Sequence, residues 1–190
     1  MTVRFLEKPM IKTKTYKMAA VGLMAALICI LGPVVIMLPF TPIPISLATL
    51  VLYLSAFVLG YRLATISCLI YLLLGLVGLP VFSGFAGGAG KLFGPTGGYL
   101  IGYLLVVYVS GYFIEKFYKM WYFHLIGMAL ATAILYLFGT VWLACCADMT
   151  FAEAFMAGVI PFIPGDIVKI VIILFVGPMI RKRLYKAGVY

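Results

Sequence analysis

The chain has 190 residues, of which 66% are hydrophobic and 10% charged, and its mean hydropathy is +1.22. Water-soluble domains carry roughly 25% charged residues, so composition excludes a soluble globular enzyme and places the chain in lipid. The net charge of +9 would suit nucleic acid, but the placement of the cations excludes that reading as well.

Asn and Gln are absent from the sequence. A polar ligand must therefore be held by backbone groups, by Ser, Thr, Tyr or Trp, by His124, or by a charge. Cys29, Cys68, Cys145 and Cys146 lie in apolar runs without C-x-x-C spacing. No histidine or acidic cluster accompanies them, so they read as small core or lipid-facing residues and no metal site is expected.

Residues 1–17 form a basic segment with Arg4, Lys8, Lys12, Lys14 and Lys17 against Glu7. The apolar run that follows, Met18–Leu38, is 21 residues long. A secretory h-region is only about 7–15 residues, so this run is expected to be an uncleaved first span. No charge occurs between Met18 and Tyr61, and prolines at 39, 42 and 44 divide that stretch, because Pro lacks an N–H and clashes within a helix. The spans expected in chain order are Met18–Leu38, Ser46–Leu59, Leu63–Leu79, Gly98–Phe113, Phe123–Ala147 and Gly165–Ile180. About 20 apolar residues cross a bilayer core, and continuous apolar runs lack the alternation of a lipid-facing barrel. The expected fold is thus an all-α polytopic membrane protein, a single domain over 1–190 with six transmembrane helices.

Cation placement sets the orientation. The N-terminal segment, Arg62, Lys116, Lys119 and the C-terminal Arg181, Lys182, Arg183 and Lys186 all fall on one side. Only Lys91 lies in the loops of the other side, and Lys169 sits in the last span. Both termini are therefore expected in the cytoplasm, and the basic charge reports topology. Trp121, Tyr122 and His124 begin the fifth span at the same interface. Asp148 and Glu153, in the outer loop after it, read as solvated.

The outer loop between the third and fourth spans runs from Ser83 to Tyr99 and holds seven glycines. Gly90-Lys91 invites a phosphate-loop reading, but Leu92 stands where that motif needs Ser or Thr. What the loop offers is close backbone approach and N–H donors, with a flexible connector as the alternative. Met18, Gly22 and Ala26 recur at four-residue spacing on the first span, which suits close helix packing within the bundle or against a partner subunit.

The last span opens with Pro161-Phe162-Ile163-Pro164-Gly165-Asp166-Ile167-Val168-Lys169. An ionisable group at membrane depth costs at least ~2.5 kcal/mol and marks a functional site by default. Asp166 and Lys169 share a helix face. One reading is a ligand site; the other is an acidic helix start beside a lysine that snorkels to the headgroups. Helices one to five carry no such group inside, so no proton relay is visible. Either the protein is a facilitator or a partner supplies the energy.

Three blocks together resemble the biotin-specific substrate-binding (S) components of energy-coupling-factor transporters, the BioY family. They are Thr41-Pro42-Ile43-Pro44-Ile45-Ser46-Leu47-Ala48-Thr49-Leu50, Gly94-Pro95-Thr96-Gly97-Gly98-Tyr99-Leu100-Ile101-Gly102, and Pro161 to Lys169. The resemblance implies a multi-pass protein of a bacterial cell membrane that binds biotin from outside with high affinity. It would work with a transmembrane coupling subunit and two cytoplasmic ATPases, would need no cofactor, and would not itself be an enzyme. Asp166 and Lys169 match the acid and lysine of the family's last block, whereas Ala48 stands where members typically have Gln.

Biotin presents a ureido ring with two N–H donors and a carbonyl acceptor, an apolar thioether ring and a carboxylate tail. The expected substrate contacts are Asp166 on a ureido N–H, Lys169 balancing its charge and donating to a ligand oxygen, Ser83 with the backbone of Ala86, Gly87 and Gly88 on the other polar atoms, and Phe85 and Tyr99 beside the apolar ring. Met18, Gly22 and Ala26 are the expected docking stripe. The competing function is a self-sufficient secondary carrier or facilitator of a small neutral or anionic solute.

Overall fold

The computed structural model describes residues 14–36 and 45–186. The basic segment up to Thr13, and the prolines at 39, 42 and 44 with most of the Thr41–Leu50 block's first half, lie outside the described residues.

The first helix, α1, spans Lys14–Leu31 and stops before the expected boundary at Leu38. Gly32-Pro33 accounts for the difference. Proline disfavours the α region for the residue before it and brings no N–H, so the chain turns into an extended ribbon. Strand β1 (Val35–Ile36) pairs antiparallel with β2 (Ile45–Ser46). The Ser46 hydroxyl donates to the Gly32 carbonyl at 2.8 Å and accepts from the Ala48 N–H at 3.0 Å. One side chain thereby ties the end of α1 to the start of the next helix.

The spans expected at Ser46–Leu59 and Leu63–Leu79 form one 29-residue element, α2 (Ala48–Leu76), broken in dihedral terms at Gly60, where φ is 74° and ψ 171°. That combination is essentially restricted to glycine. Contacts on either side of Gly60 go to different elements. Thr49 meets Lys169 early in the last helix, and Phe57 lies on Gly177 late in it. Beyond the kink, Tyr61 packs on Gly111, Ser67 donates to the Val21 carbonyl of α1, and the Gly75 carbonyl accepts from the Gly88 N–H.

The glycine-rich loop contains one short turn of helix, α3 (Ala89–Leu92), before α4 (Gly97–Lys116) and α5 (Trp121–Ala147). The loop after α5 is also structured: α6 (Phe151–Gly158) opens with a capping box in which Thr150 and Glu153 satisfy each other's backbone N–H, as the Thr-x-x-Glu spacing allows. Both acids of this loop are solvent-exposed. The last helix, α7, spans Ile163–Lys186 and runs past the expected end at Ile180 through the basic cluster, where cations complement a helix C-terminus.

Among the described residues five helices, α1, α2, α4, α5 and α7, are long and apolar enough to cross a membrane. Their packed faces form one core with Ile28, Leu52, Phe57, Cys68, Tyr71, Val106 and Met128 fully buried. Their outer faces expose Leu73, Leu137, Val141 and Phe175, an arrangement suited to lipid and unsuited to water. The protein is a helical polytopic membrane protein. Close crossings use small residues: a Cβ at Gly139 would overlap the Tyr99 ring, and one at Gly177 would come within 2.7 Å of the Phe57 ring.

Candidate functional site

The first turn of α7 closes with the Asp166 N–H bonded to the Phe162 carbonyl at 2.9 Å. Helical periodicity then points Asp166 and Lys169 inward, and each is only 6% exposed. Lys169 Nζ lies 2.8 Å from Asp166 Oδ1, so the spacing of three yields an ion pair within one helix turn.

The pair is completed by other helices. Tyr136 of α5 donates its phenol proton to Asp166 Oδ2 at 2.7 Å, and Lys169 donates to Thr49 Oγ1 of α2 at 3.0 Å. Both carboxylate oxygens thus hold a donor, while one N–H of the ammonium is left for another acceptor, since Lys has three. Nearby, Tyr53 shares a 2.7 Å hydrogen bond with Thr132. Buried ions survive only when paired and hydrogen-bonded in this manner.

The network forms one wall of a partly enclosed cavity of about 390 Å³, its mouth included, lined by Ser46, Thr49, Tyr99, Tyr103, Leu135, Tyr136, Gly158, Phe162, Asp166 and Lys169. Ligand sites combine apolar walls with a few convergent polar groups, as this lining does. Tyr99 is held rigidly: its ring lies on Gly139 and its hydroxyl donates to the Gly158 carbonyl at 3.0 Å. Hydroxyls, one carboxylate and one ammonium against aromatic rings suit a small, flat, polar group carrying both donors and acceptors.

Of the expected site residues, the structure brings together Asp166, Lys169 and Tyr99. Ser83, Phe85, Ala86, Gly87 and Gly88 do not line the cavity. Their loop is folded on itself, with the Phe82 N–H bonded to the Ala86 carbonyl and the Gly84 N–H to Pro33. Phe85 is 68% exposed at φ 58°. The Gly84–Pro33 bond holds the loop against the turn that leads into β1. Ser46, Thr49, Tyr103 and Tyr136 were not anticipated. The first two fall inside the Thr41–Leu50 block, whereas the tyrosines are spaced like any core aromatic and only tertiary structure distinguishes them.

Along α1, Met18 is 67% exposed and a Cβ on Gly22 would meet nothing. Ala26 is exposed as well, so the stripe faces away from the bundle. His124 is buried at the far end of α5, its ring edge-on to Phe57 at 5.3 Å.

The sequence matches the BioY family over residues 6–186. The chain belongs to the BioY family. The biotin transporter BioY of Rhizobium etli is 37% identical over 172 residues, spanning 86% of this chain and 91% of its own. The biotin transporter BioY of Thermotoga maritima is 36% identical over 147 residues, spanning 77% and 86%. A crystal structure of the S-component for biotin from an ECF-type ABC transporter superimposes with a TM-score of 0.80 at 31% identity, covering 91% of this chain and 92% of that one. These BioY-family relatives are transporters and a transport component rather than enzymes. The resemblance read from three blocks of sequence thus extends through nearly the whole chain.

Proposed function

We propose that this chain is the high-affinity biotin-binding subunit of an ATP-driven energy-coupling-factor importer. The observation that carries this reading is the buried Asp166–Lys169 pair, braced by Tyr136 and Thr49 on the wall of an aromatic cavity, in a chain belonging to the BioY family.

Asp166 accepts a ureido N–H through a lone pair left over from Tyr136 and Lys169. The spare N–H of Lys169 donates to the ureido oxygen, and Tyr99, Tyr103 and Phe162 flank the thioether ring. No chemistry is performed on the ligand; binding energy is converted into capture.

Topology follows from the same reading. The break at Gly60 supports two crossings by α2, giving six in total, and the cation distribution supports cytoplasmic termini with the cavity on the outer side. The outward Met18–Gly22–Ala26 stripe is the docking face for a transmembrane coupling subunit, which in turn engages two ATPases.

Calorimetric titration of the purified full chain with biotin tests the core of this proposal. Saturable binding in the wild type, lost in Asp166→Asn, is expected; wild-type affinity in that variant would overturn the assignment. In liposomes the chain alone should bind biotin without accumulating it. Robust accumulation without ATPases would instead identify a self-sufficient carrier.

A further inference from the structure

A second cleft lies at the kink of α2, against the C-terminal turns of α4. It encloses about 430 Å³, its open mouth included, and is lined by Tyr61, Tyr112, Glu115 and Lys116. Arg62 stands at its rim with its guanidinium 5.4 Å from the Tyr61 ring centre, and the Lys116 ammonium lies 5.2 Å from that of Tyr112. The rings of Tyr61 and Tyr108 meet edge to face at 5.4 Å.

The hydrogen bonds have a consistent polarity. Arg62 Nε donates to the Tyr61 hydroxyl at 2.8 Å, and Lys116 Nζ donates to the Tyr112 hydroxyl at 2.9 Å. Each phenol oxygen is thus engaged as an acceptor, which leaves its O–H free to donate outward. Together with the remaining N–H groups of Arg62 and Lys116, the cleft presents many donors and two cations against one carboxylate, Glu115. Its net charge is positive.

The surroundings indicate what such a site would hold. Leu105, Tyr108 and Tyr112 are all exposed and lie on one face of α4, a strip that runs from mid-helix down to the cleft. In a spanning helix that strip faces acyl chains, and its lower end lies at headgroup depth. A ligand with a phosphate at one end and hydrocarbon at the other matches both parts. Basic pockets between spanning helices are known to hold anionic headgroups.

We propose that this cleft binds the phosphate of an anionic phospholipid, with its acyl chains along Leu105 and Tyr108. The inference does not depend on what the Asp166 cavity binds. Native mass spectrometry of the full chain from micelles doped equally with phosphatidylglycerol and phosphatidylcholine tests it. The wild type should retain phosphatidylglycerol in about tenfold preference, as one to two cations beside an anionic headgroup supply. An Arg62→Gln, Lys116→Gln double variant should lose the preference while its melting temperature in lipid-free detergent is unchanged. Tyr112→Phe, which keeps both cations and removes one O–H, should reduce it partially. Equal retention of the two lipids by the wild type, the result expected if an acidic protein partner occupies the cleft, would overturn the proposal. So would a preference that survives in the double variant, or displacement of the lipid by millimolar inorganic phosphate.

Discussion

The two ends of the helical bundle handle charge in opposite ways. At the cavity, Asp166 and Lys169 are withdrawn from solvent, and hydrogen bonds from Tyr136 and to Thr49 complete their coordination. At the α2 kink, Arg62 and Lys116 stay exposed and lean on tyrosine rings, while Arg181 is buried with its guanidinium 3.8 Å over Tyr118. Burial makes each partner of the first pair indispensable to the other. Arg62 and Lys116, unlike Arg181, are solvated already, so their aromatic neighbours orient them more than they stabilise them.

Removing one member of the buried pair is the sharpest way to break this contrast. Asp166→Ala leaves the ammonium of Lys169 uncompensated and should destabilise the protein by about 3–5 kcal/mol, read from denaturant unfolding in micelles, with biotin binding abolished. Tyr136→Phe removes one donor from the carboxylate and nothing else. A hydrogen bond to a charged group contributes about 1.5–3 kcal/mol, so both stability and affinity should fall while helix content by circular dichroism stays constant.

Gly60→Ala places a Cβ where φ is 74° and ψ 171°; strain of this type costs about 1–3 kcal/mol. Its effect should appear in stability and leave the affinity of any properly folded fraction unchanged. Arg62→Gln, at the exposed end, should shift stability by no more than ~0.5 kcal/mol. A loss comparable to that of Asp166→Ala would show that the two ends are not different in kind.

The capping box of α6 offers a smaller test. The hydroxyl of Thr150, then its backbone N–H, bonds the Glu153 carboxylate and holds its pKa below the usual value. Folding therefore favours the ionised form. The contribution is present above the unfolded-state pKa and disappears as pH falls through the lowered folded-state value. Removing the cap with Thr150→Ala should cost about 1 kcal/mol at neutral pH, and the difference between this variant and the wild type should narrow in acid.

The sequence made the apolar spans and the Asp166–Lys169 face legible because both are local: one is a running average and the other a spacing of three. Gly32-Pro33 also signalled the end of α1, yet an argument from span length ran through it to Leu38. The Thr150–Glu153 box was likewise visible but read as solvated loop. Tyr136 carried no signal, since it meets Asp166 only through the packing of α5 on α7. The seven glycines raised an expectation about Ser83–Gly88 that the cavity lining does not include: the Gly84 and Gly88 N–H groups bond the Pro33 and Gly75 carbonyls, and the Ala86 carbonyl accepts from Phe82. Glycine content reports that backbone can approach closely, not what it approaches.

The placement of both ions of the cavity on a single helix turn has a consequence for biogenesis. An unpaired Asp or Lys adds up to ~2.5–3.5 kcal/mol to insertion, the upper figure being for the centre of a span; Asp166 and Lys169 lie in the opening turns of α7. Because Lys169 reaches Asp166 without help from any other helix, α7 can enter the bilayer as a locally neutral segment before α2 and α5 have assembled around it. Tyr136 and Thr49 then join a pair that already exists, so the cavity wall matures by addition to a preformed element. Insertion of the last span is thereby separated from assembly of the cavity, and a defect in either can be recognised by the stage at which the chain is lost.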